Sequence, residues 1–168
     1  EKTREFLREE FKYMRSFTKD IFTSFEEKSI VAQGEIMSTN VVLNYLQEQG
    51  IKATLLSAFD FMRTDKNAEP DAQYIKEKLT AIMTENEGYQ IYITQGFICL
   101  NAYGEIDNLQ RGGSDFTASL IGVALGAEEI QIWTDIDGMH NNDPRIVDGT
   151  DAIRQLNFEE AAELAYFG

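Results

Sequence analysis

The chain reads as an α/β protein built on a mainly parallel sheet, and three observations carry that reading. Stretches with apolar residues at spacings of three and four alternate along the sequence with short β-type runs. Glycine or proline punctuates the changes of period, at Gly50, Pro70, Gly96 and Gly126. Finally, 43% hydrophobic residues, including eleven Phe and seven Tyr, give 168 residues enough material for a core.

The elements follow in order. Phe6, Leu7, Phe11, Met14, Phe17, Ile21, Phe22 and Phe25 form a helical stripe, expected to pack on the core rather than to serve as a cofactor box. Glu35 to Gln49 is expected as a helix that starts after an extended segment at Gly34 and is closed by Gly50 as its C′ residue. Ile51 to Ala58 is a β-type run. Glu69-Pro70-Asp71 opens a helix with Tyr74, Ile75, Leu79, Ile82 and Met83 on one face. Tyr89 to Thr94 is a strand ended by Gly96, Ser114 to Leu125 a helix stopped by Gly126, Glu129 to Thr134 a strand, and Phe158 to Tyr166 the last helix. The sequence opens inside one helical pattern, at Glu1 to Glu5, and closes on another, at Ala165 to Gly168. The expectation is one domain over residues 1–168 that is part of a longer catalytic domain.

Fifteen Lys and Arg against twenty-nine Asp and Glu give a formal charge of −14, with no basic patch, which argues against nucleic acid or an anionic membrane as partner. A nucleotide remains compatible, because its phosphates are read by local donors and Mg²⁺ rather than by net charge. Cys99 lies in the apolar run Gly96 to Leu100 and reads as a buried small hydrophobe. One Cys and one His, His140, make too small a ligand set for zinc, and no metal-ligating residues are assigned. No apolar run reaches the roughly 18 residues of a membrane span, and no targeting signal is evident. The expected location is the cytoplasm.

Arg111-Gly112-Gly113-Ser114-Asp115 is the richest stretch. Two glycines permit close backbone approach, the helix behind them aims free N–H groups at an anion, and Arg111 adds a fork suited to a carboxylate or phosphate. Ser114 could donate to the same group or cap the helix, and Asp115 could simply suit the helix dipole. Taken alone, the loop reads first as a helix cap. Thr134-Asp135-Ile136-Asp137-Gly138, followed by Asn141 to Arg145, is either a polar turn or the rim of a nucleotide site. In open α/β sheets ligands gather where strands end and helices begin, and Gly96-Phe97, Arg111 to Asp115 and Thr134-Asp135 are all expected at such places.

Five segments carry a resemblance: Val31 to Thr39 (VAQGEIMST), Ile93 to Phe97 (ITQGF), Arg111 to Ala118 (RGGSDFTA), Ile132 to Arg145 (IWTDIDGMHNNDPR) and Phe158 to Gly168 (FEEAAELAYFG). In this order they resemble the aspartokinases, over about residues 28 to 168. The resemblance implies the amino-acid-kinase fold, a three-layer αβα sandwich with a mainly parallel sheet, truncated here at both ends. It implies transfer of the ATP γ-phosphoryl group to the side-chain carboxylate of L-aspartate, the first step toward lysine, threonine and the other aspartate-derived amino acids. Glu35 would then hold the substrate ammonium and Arg111 its α-carboxylate, with Phe97 and Ser114 shaping the pocket. Asp115 would organise the phosphoryl-transfer centre, and Thr134, Asp135, His140 and Arg145 would line the nucleotide. ATP, with its Mg²⁺, is the implied cofactor, L-aspartate the partner, and a homo-oligomer the implied assembly.

The sequence departs from the family pattern in several ways. It contains no Lys-Phe-Gly-Gly segment, no Ala-Lys-Val-Leu-His-Pro run and no regulatory ACT domain. Gln110 replaces a common glycine and His140 a common tyrosine. With the two lysines of those segments missing, the 168 residues by themselves are expected to be a poor catalyst. A bifunctional aspartokinase–homoserine dehydrogenase would contain the same stretch, other kinases of the fold would share its glycine loop, and a non-catalytic amino-acid-binding module is the alternative from another class.

Overall fold

The computed structural model of the protein describes residues 2–17, 22–135 and 137–167. The chain forms two compact units, residues 1–130 and 131–168.

In the first unit, helix α1 (Lys2–Ser16) lies along helix α2 (Ser24–Glu48). No residue of α1 is buried, and Phe11, Phe22 and Phe25 are each about half exposed (51%, 57% and 48%). The aromatic stripe is therefore not a core-packing face. A helix with one helical neighbour covers only a strip of its surface. Ile21 lies outside the described residues.

Helix α2 begins well before the expected start at Glu35. Thr23 caps it by accepting the Phe25 N–H, and Glu26 returns to the Thr23 N–H at 2.9 Å, a reciprocal capping box. Gly34 and Glu35 are consequently mid-helix, not at a helix start. The other end matches expectation. Gly50 sits at φ +77°, its N–H bonds Gln47 O and the Ile51 N–H bonds Leu46 O, which together satisfy the last carbonyls in a Schellman motif.

Strand β1 (Ala53–Leu56) pairs in parallel with β2 (Ile91–Thr94), Ala53 opposite Ile91 and Leu56 opposite Thr94. Parallel neighbours need a crossover, which α3 (Ala58–Phe61) and α4 (Ala72–Glu85) supply. Asp71 caps α4 through the Tyr74 N–H at 3.1 Å. The Arg63 guanidinium stacks 3.6 Å from the Tyr74 ring centroid and bonds the Asp71 carboxylate, holding that carboxyl below its usual range. Ile75 and Leu79 of the expected α4 face join Leu56, Phe61, Met62, Ile98 and Cys99 in the core.

The run after Gly96 becomes strand β3 (Ile98–Leu100), which folds back antiparallel onto β4 (Ile106–Asn108). This hairpin was not anticipated. Its turn is made by the Asn101 side-chain carbonyl, which accepts the N–H groups of Tyr103 and Glu105, and by Gly104 at φ +81°. On its other edge β3 pairs with the segment at Arg63, through Leu100 N–H to Met62 O and Thr64 N–H to Leu100 O, both 2.9 Å. Helix α5 (Gly113–Leu125) follows, packs on α4, and ends at Gly126 with φ +64°.

In the second unit, residues 131–135 form no ladder pair among the described residues, so the strand expected over Glu129 to Thr134 is absent. A strand interior needs a pairing neighbour and at least one covered face; here Ile130, Ile132 and Trp133 are all exposed, Trp133 at 88%. Helix α6 (Phe158–Phe167) forms as expected, and Asn157 and Glu160 exchange a reciprocal cap, Glu160 N–H to Asn157 Oδ1 at 2.8 Å and Asn157 N–H to Glu160 Oε2 at 3.0 Å.

Candidate active site

The end of β2 and the start of α5 meet with no space between them. A Cβ added to Gly96 would lie 3.0 Å from Ser114 Cα, and one added to Gly113 would lie 2.8 Å from the Phe97 ring. Two glycines thus let a strand end touch a helix start, so the expected convergence of Gly96-Phe97 with the Arg111 loop is present. Phe97 adopts φ +69° and is held there by its N–H to Thr117 Oγ1 at 3.1 Å and by its carbonyl, which accepts the Leu109 N–H at 2.8 Å. Thr117 in turn donates to Gly113 O at 2.8 Å, locking the glycine turn to the strand end.

Helix α2 is tied to the same place. Gln95, only 3% exposed, donates to Thr39 Oγ1 at 3.0 Å and accepts the Ala58 N–H at 2.9 Å. Thr39 donates to the carbonyl of Glu35, one turn earlier, at 2.8 Å. Residues four apart share a helix face, so Glu35 is carried on the side of α2 that Gln95 fastens to the strand end. Gln95, Thr39 and Thr117 were not singled out from the sequence. A glutamine between an apolar strand and a glycine was the available signal, since a buried amide must find partners.

The loop leading to α5 is tightly built. Asn108 Oδ1 accepts the Gln110 N–H at 3.2 Å, and Gln110 O accepts the Gly113 N–H at 3.1 Å, closing a turn around Arg111 and Gly112. Gly112, at φ +77°, is the N-cap residue of α5 and no side chain caps the helix. Ser114 therefore does not cap it, which corrects one of its two expected roles. Arg111, Ser114 and Asp115 are exposed and Glu35 is half-buried. Among the described residues the carboxylate of Glu35 and the guanidinium of Arg111 have no ion-pair partner. A half-buried carboxylate without a cation on one element, and an unpaired guanidinium with free helix donors on another tied to the same strand end, suit a small molecule carrying both charges.

In the second unit, Thr134 Oγ1 donates to Asp135 Oδ1 at 3.2 Å and both residues are exposed. His140 is bracketed by Thr150 Oγ1 at 3.0 Å from Nδ1 and Asp137 Oδ1 at 2.6 Å from Nε2. Arg145 forks onto Asp143, Nε to Oδ1 at 3.0 Å and Nη2 to Oδ2 at 2.8 Å, which brings the Asp143 carboxyl down to about 2. Arg145 is thus already paired. Cys99 is buried, and burial pushes its thiol up to about 12, so it is a packing residue and not a nucleophile.

A parallel strand end packed on a glycine-led helix start, with an unpaired carboxylate and an unpaired guanidinium on the elements tied there, is the arrangement of an α/β ligand-binding domain. The chain belongs to the amino acid kinase family, whose model matches residues 3–168. It is 40% identical over 144 residues to lysine-sensitive aspartokinase 3 of Escherichia coli K12, an alignment covering 83% of this chain and 32% of that protein. Chloroplastic aspartokinase 2 of Arabidopsis thaliana is 39% identical over 83% of this chain and 27% of its own length. Among solved structures, E. coli aspartokinase III in complex with aspartate and ADP superposes with a TM-score of 0.88 at 34% identity, covering 98% of this chain and 38% of that one. The chain spans about a third of the length of these relatives. No helix among the described residues is long and apolar enough to cross a membrane.

Proposed function

We propose that this chain is the substrate-holding part of an aspartate kinase, which phosphorylates the side-chain carboxylate of L-aspartate with ATP. The observation that carries the reading is the pairing of two unsatisfied charges, Glu35 on α2 and Arg111 before α5, on elements that Gln95 and the Gly96–Ser114 contact tie together. In this reading Glu35 takes the substrate ammonium and Arg111 forks onto its α-carboxylate. Ser114 and Phe97 fix the remaining walls.

The acceptor's side-chain carboxyl, with a pKa of about 3.9, is ionised at neutral pH, so no general base is required. One of its oxygens attacks the γ-phosphorus, the bond from phosphorus to the β–γ bridging oxygen breaks, and ADP departs with that electron pair. Two anions must meet, so catalysis is positioning plus electrostatic stabilisation. Asp115, at the first turn of α5, orients the reacting groups and accepts no proton. Thr134, Asp135, His140 and Arg145 serve the nucleotide. Mg²⁺ would enter with ATP and shield its phosphates; the exposed carboxylate of Asp115 suits such a guest, since Mg²⁺ is usually held by one or two carboxylates plus phosphate and water. Cytoplasmic residence and a homo-oligomeric parent belong to the same proposal, and a bifunctional parent would leave this chemistry unchanged.

The test is chemical trapping. With Mg-ATP, L-aspartate and hydroxylamine, the intact gene product is expected to yield aspartate hydroxamate, the adduct of an acyl phosphate. Tight aspartate binding with no hydroxamate would replace the kinase reading with a binding module.

A further inference from the structure

We propose that the Lys28–Asp107 ion pair is a positioning clamp that sets the separation between the ammonium-binding and carboxylate-binding groups of the site; the proposal rests on the reading of Glu35 and Arg111 given above. Lys28 Nζ lies 2.8 Å from Asp107 Oδ1, with side-chain exposures of 37% and 17%. It links elements distant in sequence, joining α2 to β4.

Each partner is coupled to one half of the site. Lys28 and Glu35 are seven residues apart on one continuous helix, two turns, and so share a face and a rigid axis. From Asp107 a run of local hydrogen bonds leads to the arginine turn. Asp107 Oδ1 accepts the Asn108 N–H at 2.8 Å, Asn108 Oδ1 accepts the Gln110 N–H at 3.2 Å, and Gln110 O accepts the Gly113 N–H at 3.1 Å around Arg111. Helix α2 packs directly on β4, so the pair braces a contact that exists without it. Losing the bond would leave both elements folded while freeing the β4 end, and with it Arg111, to drift relative to Glu35. Neither residue touches substrate in this scheme; both act through the groups they hold.

The expected signature is kinetic. In the intact gene product, Lys28→Ala and Asp107→Ala should each raise KM for L-aspartate about tenfold while kcat and KM for ATP change less than about twofold, because substrate clamping is loosened and phosphoryl chemistry is not. Lys28→Arg, which keeps the charge, should stay within about threefold of wild type, and the reversed pair Lys28→Asp with Asp107→Lys should recover most of the aspartate KM. Circular dichroism on each variant establishes that it is folded. An unchanged aspartate KM in both alanine variants overturns the clamp. So does a reversed pair as impaired as the two single losses combined, or a fall in kcat with both KM values rising together. A wild-type protein with no aspartate-dependent ADP release would instead remove the underlying reading of the site, and is seen before any variant is made.

Discussion

Gly96 and Ser114 touch so closely that a single added methyl on Gly96 would press within 3.0 Å of both Cα and Cβ of Ser114. Strand end and helix start are held at the distance that two backbones allow. Gly96→Ala is expected to force them apart, costing about 1–3 kcal/mol of local stability as overpacking does. Because the displaced helix carries Arg111 at its entrance, aspartate KM should rise more than ATP KM. Steady-state kinetics on the intact gene product checks this, and an unaffected aspartate KM would show that Ser114 yields without consequence.

Gln110 adopts φ +63°, a region that costs a side chain about 1–2 kcal/mol and that glycine occupies freely. Part of the gain from glycine is returned through its freer unfolded chain. Gln110→Gly should therefore stabilise the turn by a net ~0.5–1 kcal/mol, slowing amide exchange in residues 108–114 about two- to fivefold. Faster exchange there would show that the glutamine side chain contributes more than its backbone strain removes.

Arg63 sets a pH dependence. Its bond to Asp71 lowers that carboxyl's folded value below the unfolded one, so the unfolded chain binds the proton first on acidification. The stabilisation is fully present above about pH 5 and disappears as pH falls through the folded value, below the usual ~3.9. Arg63→Ala should lower protection of α4 at pH 7 and flatten its acid dependence between about pH 5 and pH 3. The side chain of Asp71 is 25% exposed, so solvent screening keeps the effect small.

Glu35→Gln and Arg111→Lys test the two charges directly. A charge-assisted bond is worth about 1.5–3 kcal/mol, so each should raise aspartate KM roughly 10- to 100-fold. Arg111→Lys belongs in that group because a lysine cannot reproduce the bidentate fork. ATP KM should be nearly unchanged in both.

Much of this arrangement was legible in the sequence because its signals are local. Pro70-Asp71 started α4, Gly50 closed α2, Gly126 ended α5, and the period changes between them implied the parallel β1–β2 crossover. Glu35 was misread as a helix-start residue because Gly34 looks like a boundary. The true start, Thr23 with Glu26 three residues on, is a local signal too, but the aromatic stripe running through it hid the break. The Glu129–Thr134 run alternates like a strand, yet strand formation depends on a partner, which periodicity does not supply. The β3–β4 hairpin needed Asn101 and Gly104 to be read as one turn. The candidate residues of the glycine loop were visible for their chemistry. Gln95, Thr39 and the Lys28–Asp107 pair were not, since each matters through a contact between segments far apart in the chain.

The most direct test of the central claim is ADP release by the intact gene product with Mg-ATP, offering L-aspartate or L-glutamate as acceptor. A clamp of fixed span between Glu35 and Arg111 predicts release with aspartate and little above background with glutamate, whose extra methylene displaces the reacting carboxylate. Equal release with both, or none with either, would contradict the account.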